Sequence, residues 1–361
     1  MSSGVDTSRR KFLKYGVAAI IAAAVVGVGG YAAWQATQKP PAPPTPAKPK
    51  PRTLKISHQF AVGDVRHILC EKFAQRVEEE TDGTLKFEIY PAKSLYKPKE
   101  QYDALVEGAL DLSVYPLDYA SGKVPQFSIT LMPCTITNVD HGMKWKDAEI
   151  GKKLQEICEK NGIKLLVWYG AWFAGGIGSV PHPIIWPEDV KGLKMRAAGK
   201  MFEHMLHELG AAITSMPSSE LYHALQTKVL DACLTSSTSF YSYRLYEVLN
   251  YYNSPRKGYA IWFMLEPLVI GMPTWNSLTP DQQDAILKVS DELNVWLAEE
   301  LKKYDKKTAD FFEEKGVEVH DMTKDEWDAW AEAAKDTAWK AFSETVEGGK
   351  ELLDLALKVK P

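Results

Sequence analysis

The sequence lacks the short motifs that mark the commonest catalytic and nucleotide-binding sites. It has no Gly-x-Ser-x-Gly turn, no Gly-x-x-x-x-Gly-Lys-Ser/Thr loop, no Gly-x-Gly-x-x-Gly fingerprint and no His-Glu-x-x-His pair. A nucleophilic serine, a phosphate cradle and a zinc-protease helix each need one of these patterns. Acidic pairs such as Glu299 and Glu300 lie in a helical stretch, where they are typical of a solvated face. The residues therefore give no support for an enzyme and predict no cofactor.

Cysteine is also scarce, and its spacing suggests neither a metal site nor a redox pair. Cys70, Cys134, Cys158 and Cys233 lie far apart, so the sequence leaves open three two-bridge connectivities or no bridge at all. Cysteine is among the most buried residue types in proteins. We expect mostly buried thiols.

An excess of positive charge is absent as well. The chain has 43 Lys and Arg against 47 Asp and Glu, a net charge of -4, which does not attract nucleic acid. His204 and His207 lie three residues apart on a predicted helix, but both fall on its polar side. We therefore predict that His204 and His207 are solvated and that they do not bind a metal.

Export features occupy the first 52 residues. Residues 8–14, Ser-Arg-Arg-Lys-Phe-Leu-Lys, precede an uncharged run at 15–34, and a basic head before an apolar run is typical of a secretion signal. The paired arginines resemble the twin-arginine pattern, which implies export of a folded protein. We interpret 1–36 as a twin-arginine signal or membrane anchor and 37–52 as a proline-rich linker. The apolar run is long enough to span a bilayer, so a membrane tether stays open if the signal is not cleaved.

From residue 53 onward, alternating segments and amphipathic segments follow one another. Residues 53–60 alternate, 66–80 carry apolar residues at helical spacing, and 84–90 alternate again, which indicates a βαβ unit. Repetition of this pattern predicts an α/β protein with parallel sheets. We expect two sheets, with the chain crossing between them near residues 170–175 and 235–260.

Two capping boxes mark predicted helix starts near the end of the chain. Thr279 and Gln282 flank a proline at the first helical position, and the apolar spacing continues to about residue 314. Thr323 and Glu326 form a second capping box, without the proline. In a capping box each side chain satisfies a backbone N–H of the other residue, so both sites favour the start of a helix.

Arg196 is a cation with no evident partner in the sequence. It ends a predicted strand at 193–196, just before a predicted helix, and no acidic residue lies within six positions of it. Ligands of open α/β sheets bind beyond the carboxyl ends of the strands, and a guanidinium presents a planar fork that matches a carboxylate. Aromatic side chains accompany Arg196, upstream and at the end of another strand: Trp168, Tyr169, Trp172, Phe173, Tyr115 and Tyr119. A structural ion pair or a solvated strand end is the alternative explanation of Arg196.

The segment around Arg196 resembles that of a known protein family. Residues 187–232, PEDVKGLKMRAAGKMFEHMLHELGAAITSMPSSELYHALQTKVLDA, resemble the signature of the DctP family, the substrate-binding proteins of tripartite ATP-independent periplasmic (TRAP) transporters. FAQRVEEETDGTLKFEIYPAKSL, YDALVEGALDLSVYPLDYASGKVPQFSITLMP and WNSLTPDQQDAILKVSDE agree in order and spacing. The resemblance therefore covers roughly residues 53–355.

The resemblance implies a periplasmic-binding-protein type II fold, in which two α/β lobes are joined by crossing strands and a long helix. The solute-binding body is then 53–361. Its expected parts are lobe I at about 53–172 plus 262–320, lobe II at about 173–261, and C-terminal helices at 323–358.

The resemblance also implies a ligand site. In this family the arginine of the Gly-Leu-Lys-x-Arg motif grips the ligand carboxylate, and the matching residue here is Arg196. Further pocket positions carry over by their place in the chain: Gln59, Tyr115, Trp172, Phe173, Ser219, Thr235 and Ser236.

Two departures from the family pattern bear on the ligand. Sialate-binding members have a second arginine where this chain has Gly175–Gly176, and many members have an acidic or amide residue where it has Leu-Thr-Ser-Ser at 234–237. These losses argue against sialate and against a strongly polar dicarboxylate, although Arg66, Lys93 or Arg256 could supply a second cation. The expected ligand is a monocarboxylate with an apolar or aromatic body.

The function implied by the resemblance is that of an extracytoplasmic solute receptor. Such a protein binds a small organic acid and delivers it to the small and large integral membrane subunits of a TRAP transporter for ion-driven uptake. It is not an enzyme, and it is expected in the periplasm or on the outer face of the cytoplasmic membrane. The alternatives are a ligand-sensing partner of a signalling system and an exported α/β enzyme.

Overall fold

The computed structural model describes residues 51–361. The predicted signal or anchor at 1–36 lies outside the described residues, as does the predicted linker except for its last two positions. Arg52, which the prediction assigned to the linker, is the first residue of a strand. Within residues 51–361 no helix has the length and apolar character needed to cross a membrane.

Strands and helices alternate over much of the described chain. The strands are β1 (Arg52–Ser57), β2 (Leu85–Tyr90), β3 (Leu112–Val114), β4 (Ile163–Val167), β5 (Trp172–Ser179), β6 (Lys194–Arg196), β7 (Ala212–Ile213), β8 (Ala232–Ser236), β9 (Tyr251–Ser254), β10 (Trp262–Leu265), β11 (Leu268–Gly271) and β12 (Glu318–Asp321). The α-helices are α1 (Val65–Glu80), α2 (Gln101–Val106), α3 (Val139–Met143), α4 (Glu149–Lys160), α5 (Lys200–Glu208), α6 (Leu221–Gln226), α7 (Ser237–Ser242), α8 (Met272–Asn276), α9 (Pro280–Glu314), α10 (Lys324–Ala334), α11 (Lys340–Thr345) and α12 (Gly349–Lys358).

The strands form two sheets, as predicted, and we call the parts built around them the first and the second lobe. The first sheet has the order β2-β1-β3-β11-β4, and the second has the order β12-β9-β5-β8-β6-β7, with β10 paired to β5. This two-lobe α/β architecture confirms the predicted fold class.

The prediction of purely parallel sheets is wrong. In the first sheet β11 runs antiparallel to β3 and β4, and in the second sheet β5 runs antiparallel to β8, β9 and β10. These two strands enter their sheets directly from the other lobe, without the helical crossover that makes neighbouring strands parallel. Each sheet is therefore mixed.

The chain crosses between the sheets at two short connections and along one helix. The first connection joins β4 to β5 at 168–171, close to the predicted place. The second joins β10 to β11 through Glu266 and Pro267 only, later than the predicted 235–260, because the chain after β8 stays in the second lobe through α7 and β9. Residues 262–265 consequently belong to the second sheet, although the predicted first lobe began at 262. The long helix α9 leads from the first sheet to β12 in the second.

Both predicted capping boxes are present. The Thr279 side chain accepts from the backbone N–H of Gln282 while the Gln282 side chain accepts from the backbone N–H of Thr279, and Thr323 and Glu326 pair in the same way. The first box begins α9, which ends at Glu314 as the apolar spacing predicted. All four cysteines are buried free thiols, which confirms the expectation for them.

Candidate functional site

Arg196 is the last residue of β6 and is completely buried, with 0% of its surface exposed. The strands on either side of β6 are parallel to it, so their ends lie at the same edge of the sheet. The guanidinium reaches the main chain at that edge. Its Nε donates to the carbonyl oxygen of Met216 at 2.8 Å and its Nη1 donates to that of Leu234 at 2.8 Å.

The third partner of Arg196 comes from the first lobe. Its Nη2 donates to the hydroxyl oxygen of Tyr119 at 3.2 Å, and Tyr119 lies in a 3-10 turn, Leu117–Ala120, just after β3. These three bonds use three of the five guanidinium N–H groups. No ion pair among residues 51–361 includes Arg196, so it is neither a structural ion pair nor a solvated strand end.

Tyr119 also joins Gln59 to this network. The amide nitrogen of Gln59, which follows β1, donates to the Tyr119 hydroxyl at 3.3 Å, and the backbone N–H of Ser218 donates to it at 3.1 Å. The Tyr243 hydroxyl donates to the carbonyl oxygen of Gln59 at 3.3 Å. The side-chain oxygen of Gln59 is buried and has no partner among the described residues.

The predicted aromatic residues take separate places. The ring of Tyr115 lies 6.3 Å from that of Tyr119 in an edge-on contact, and burial raises the pKa of Tyr115 well above its usual value. Trp172 packs edge-on against Trp145 with centroids 4.8 Å apart, whereas Phe173 lies on the other face of β5. Neighbouring side chains of a strand point to opposite faces, and no described hydrogen bond links Trp172 to Arg196.

Phe173 and Ser236 contact a second buried arginine, Arg66, at the start of α1. The centre of the Arg66 guanidinium lies 5.0 Å from the Phe173 ring, and its Nη1 is 3.4 Å from the Ser236 hydroxyl. Asp64 binds Nε and Nη2, each at 2.7 Å, and Glu266 binds Nη1 at 2.6 Å. We call Asp64, Arg66, Ser236, Ser239 and Glu266 the Arg66 cluster.

The Arg66 cluster leaves its arginine no capacity for a further anion. The Ser239 hydroxyl accepts the last N–H at 3.1 Å. Burial alone would raise the pKa of Asp64, but the ion pair with Arg66 outweighs it and lowers that pKa, while burial keeps the pKa of Glu266 raised. The other two suggested cations do not lie in this network. Arg256 pairs with the carboxylates of Asp310, Glu313 and Asp321, and Lys93 is exposed.

The remaining predicted positions lie in the second lobe near Arg196. Ser219 is in a 3-10 turn, Ser218–Glu220, and its hydroxyl is buried without a partner among the described residues. Thr235 is buried in β8, one residue after Leu234, whose carbonyl accepts from Arg196.

Asp118 was missed by the sequence reasoning. It precedes Tyr119, is 2% exposed, and its Oδ2 has no hydrogen-bond partner among the described residues. Burial, and then the carboxylate of Glu203 on α5, raise the pKa of Asp118 to about 8. A cavity of about 180 Å³ between the lobes is lined by both carboxylates and by Ala198. The only local signal was the position of Asp118 just beyond a strand, the place where ligand-binding groups collect in open sheets.

Residues 56–345 match the family model described as bacterial extracellular solute-binding protein, family 7 (DctP). A solute-binding protein of Albidiferax ferrireducens is 40% identical over 308 residues, 84% of this chain and 90% of that protein. The C4-dicarboxylate-binding periplasmic protein DctP of Rhodobacter capsulatus is 28% identical over 289 residues, 79% of this chain and 85% of that protein.

A solved structure gives the same picture. The crystal structure of a TRAP periplasmic solute-binding protein from Rhodoferax ferrireducens with bound malonate is 39% identical to this chain. The alignment covers 85% of this chain and 98% of that one, with a TM-score of 0.82.

Proposed function

Because the chain belongs to the family of bacterial extracellular solute-binding proteins, family 7, we propose that it is a TRAP transporter receptor in which Arg196 binds the carboxylate of a small organic acid. The family consists of solute-binding receptors, and we assign no catalytic step to this chain. The proposal extends to delivery of the acid to the small and large membrane subunits, and to a periplasmic location with a twin-arginine signal.

The observation that carries the proposal is that Arg196 is buried and has only neutral hydrogen-bond partners among the described residues. A buried charge without a counter-charge costs several kcal/mol, on the order that continuum estimates give. Arg196 is 0% exposed, and its three partners are a hydroxyl and two carbonyls, all of them neutral. One N–H on Nη1 and one on Nη2 remain. A ligand carboxylate supplies the missing negative charge and accepts both of these hydrogens.

The class of acid follows from the charges around the site. Asp64 and Glu266 already occupy Arg66, so Arg196 is the buried guanidinium with spare donors in this part of the described chain. One available cation supports a ligand with one carboxylate. Phe173 and Tyr119 supply aromatic surface for an apolar body, and we therefore keep the monocarboxylate as the proposed ligand.

The other predicted site residues are proposed contacts on different grounds. Gln59 and Ser219 carry buried polar atoms without described partners, which a ligand hydroxyl or carboxylate can satisfy. Thr235 follows Leu234, whose carbonyl accepts from Arg196. The ring of Tyr115 contacts that of Tyr119, whose hydroxyl also accepts from Arg196. These positions are the proposed wall of the site: Gln59, Tyr115, Phe173, Ser219, Thr235 and Ser236. Trp172 packs against Trp145, so its proposed contribution is to support β5 behind the site.

A thermal-shift panel tests the proposal. We expect one or more of acetate, lactate, pyruvate, benzoate, malonate and succinate to raise the melting temperature, and the stabilisation to grow with concentration to about 2.7 kcal/mol at one hundred times Kd. Arg196→Ala should remove the shift. Arg244→Ala is the matched control, because Arg244 is an exposed arginine of the same lobe paired with Glu247. Equal shifts in Arg196→Ala and the unaltered protein would contradict the role of Arg196, and stronger binding of malonate than of the monocarboxylates would contradict the ligand class.

A further inference from the structure

The hydroxyl oxygen of Tyr119 is a junction between the two lobes. Tyr119 follows β3 and Gln59 follows β1, both in the first sheet, whereas Arg196 ends β6 and Ser218 follows β7 in the second sheet. Nitrogen atoms of Arg196, Gln59 and Ser218 approach this one oxygen at 3.2, 3.3 and 3.1 Å. The contact therefore exists only while the lobes are together.

The junction acts on the same guanidinium that holds the proposed ligand. Nε and Nη1 of Arg196 are fixed by carbonyl groups of its own lobe, and Nη2 is fixed by Tyr119 of the other lobe. When the lobes separate, Nη2 loses this partner and the guanidinium is held along one side only. Closure of the lobes therefore also completes the set of hydrogen bonds that orients the Arg196 guanidinium.

We propose that Tyr119 is a positioning residue that couples lobe closure to the orientation of Arg196 and thereby sets how long the acid stays bound. This inference rests on the proposed function. The Tyr119 oxygen has two acceptor lone pairs, so it accepts from at most two of the three neighbouring N–H groups at a time. Tyr119 lies 77 residues before Arg196 in the chain.

The mechanism predicts an effect on dissociation and not on association. A ligand enters the open form, in which the junction has not formed, so kon does not depend on it. Leaving requires the lobes to part, which breaks the bonds to the Tyr119 oxygen. A hydrogen bond to a charged donor contributes about 1.5–3 kcal/mol, which corresponds to a change in koff of roughly ten- to a hundredfold.

The test is stopped-flow kinetics on Tyr119→Phe with the same six acids as probes. The substitution keeps the ring and its edge-on contact with Tyr115 and removes only the hydroxyl. We expect koff to rise roughly ten- to a hundredfold for each acid that binds, with kon unchanged and the melting temperature of the ligand-free protein within a few degrees.

Tyr102→Phe is the matched control. The Tyr102 hydroxyl also makes a part-buried hydrogen bond, donating at 2.9 Å, but to the carbonyl of Asn161 within the first lobe. Its removal should leave koff unchanged. A rise in koff of the same size in both variants, or a loss carried by kon, would overturn the inference and leave the proposed function intact. A panel in which no acid binds the unaltered protein would overturn both.

A double-mutant cycle separates coupling through Arg196 from a general loosening of the closed form. Arg196→Lys keeps the charge but has no Nη2 to donate to Tyr119. In that background Tyr119→Phe should change koff by less than twofold, on the order of the usual error of additivity. Full additivity of the two effects would show that Tyr119 does not act through Arg196.

Discussion

The carboxylate of Asp118 in the first lobe fills the space in front of Gly199 in the second lobe. A Cβ placed on Gly199 would lie 1.3 Å from Asp118 Oδ2, which no real side chain tolerates. Gly199 has a φ of 86° and immediately precedes α5, so glycine is required there both by the backbone and by the neighbouring lobe. The two lobes are therefore closely packed where Asp118 contacts Gly199, within a few residues of Arg196.

Gly199→Ala should weaken ligand binding as well as stability. The backbone of Gly199, with φ 86° and ψ 147°, is rarely open to other residues and costs an alanine about 1–3 kcal/mol, and the new methyl group collides with Asp118 when the lobes close. Gly192→Ala is the matched control, because Gly192 has a φ of 79° in the same lobe with nothing within 4 Å of its added Cβ. Urea unfolding should give a loss for both variants, while calorimetric titration should give a weaker Kd for Gly199→Ala alone. Equal affinities in the two variants would contradict the fit between the lobes.

The raised pKa of Asp118 predicts that the free energy of unfolding falls as the pH rises. Its pKa is about 8 in the folded protein against 3.8 for a free aspartate, so the folded state holds the proton more tightly than the unfolded state does. The stabilisation is complete below pH 4 and is lost progressively up to about pH 8. Glu203 opposes ionisation of Asp118, whereas Ser128, Lys200 and Arg196 favour it.

Asp118→Asn isolates this contribution. The variant cannot ionise at this position, so its free energy of unfolding in urea should fall less between pH 5 and pH 8 than that of the unaltered protein. The difference between the two proteins is the quantity to compare, because Asp305, with a pKa of about 6, titrates in the same range in both. Parallel pH profiles would show that Asp118 does not hold a proton in the folded state.

The Arg66 cluster should be a large contributor to stability. Arg66→Met leaves Asp64 and Glu266 buried without their counter-charge, and breaking a buried pair in this way costs about 3–5 kcal/mol. Arg76→Met is the control, because Arg76 pairs with Glu292 at the surface, where ion pairs contribute little. Chemical denaturation of both variants gives the comparison. A loss no larger than that of Arg76→Met would contradict the importance of the cluster.

The four buried thiols predict slow chemistry with alkylating reagents. Cys70, Cys134, Cys158 and Cys233 are all free and buried, and burial raises the thiol pKa of each. Mass spectrometry after brief treatment of the folded protein with iodoacetamide should find almost no adducts, and four after denaturation. A reductant should leave the melting temperature unchanged. Rapid labelling of the folded protein would contradict the burial.

Local signals in the sequence predicted those parts of the fold that depend on neighbours along the chain. Thr279 with Gln282 locates the start of α9 because a capping box is complete within four residues. The end of β6 at Arg196 was likewise predicted from the pattern of neighbouring residues. Strand direction could not be predicted, because a short apolar segment such as β11 has the same pattern whichever way the strand runs. The direction was fixed by the two-residue connection through Glu266 and Pro267, which no local pattern marks.

The site was predicted in part for the same reason. Arg196 stands out locally, as a cation at a strand end without acidic neighbours. Tyr119 was predicted only as an aromatic residue at a strand end, and Asp118 was not predicted. The contacts of Tyr119 with Arg196 and of Asp118 with Gly199 join the two lobes, which spacing along the chain does not show. Trp172 and Phe173 were predicted together, but they occupy opposite faces of β5, and only the packing of α3 and Trp145 decides which face meets Arg66.

Titration of an acid and its amide tests the central claim most directly. Benzoate and benzamide have the same apolar body, as do lactate and lactamide, but only the acids offer a carboxylate to Arg196. Calorimetry should show that an acid which binds the unaltered protein binds far more tightly than its amide, and that Arg196→Ala abolishes this difference while Arg244→Ala preserves it. An acid-to-amide preference that persists undiminished in Arg196→Ala would contradict the assignment of Arg196 as the carboxylate-binding residue.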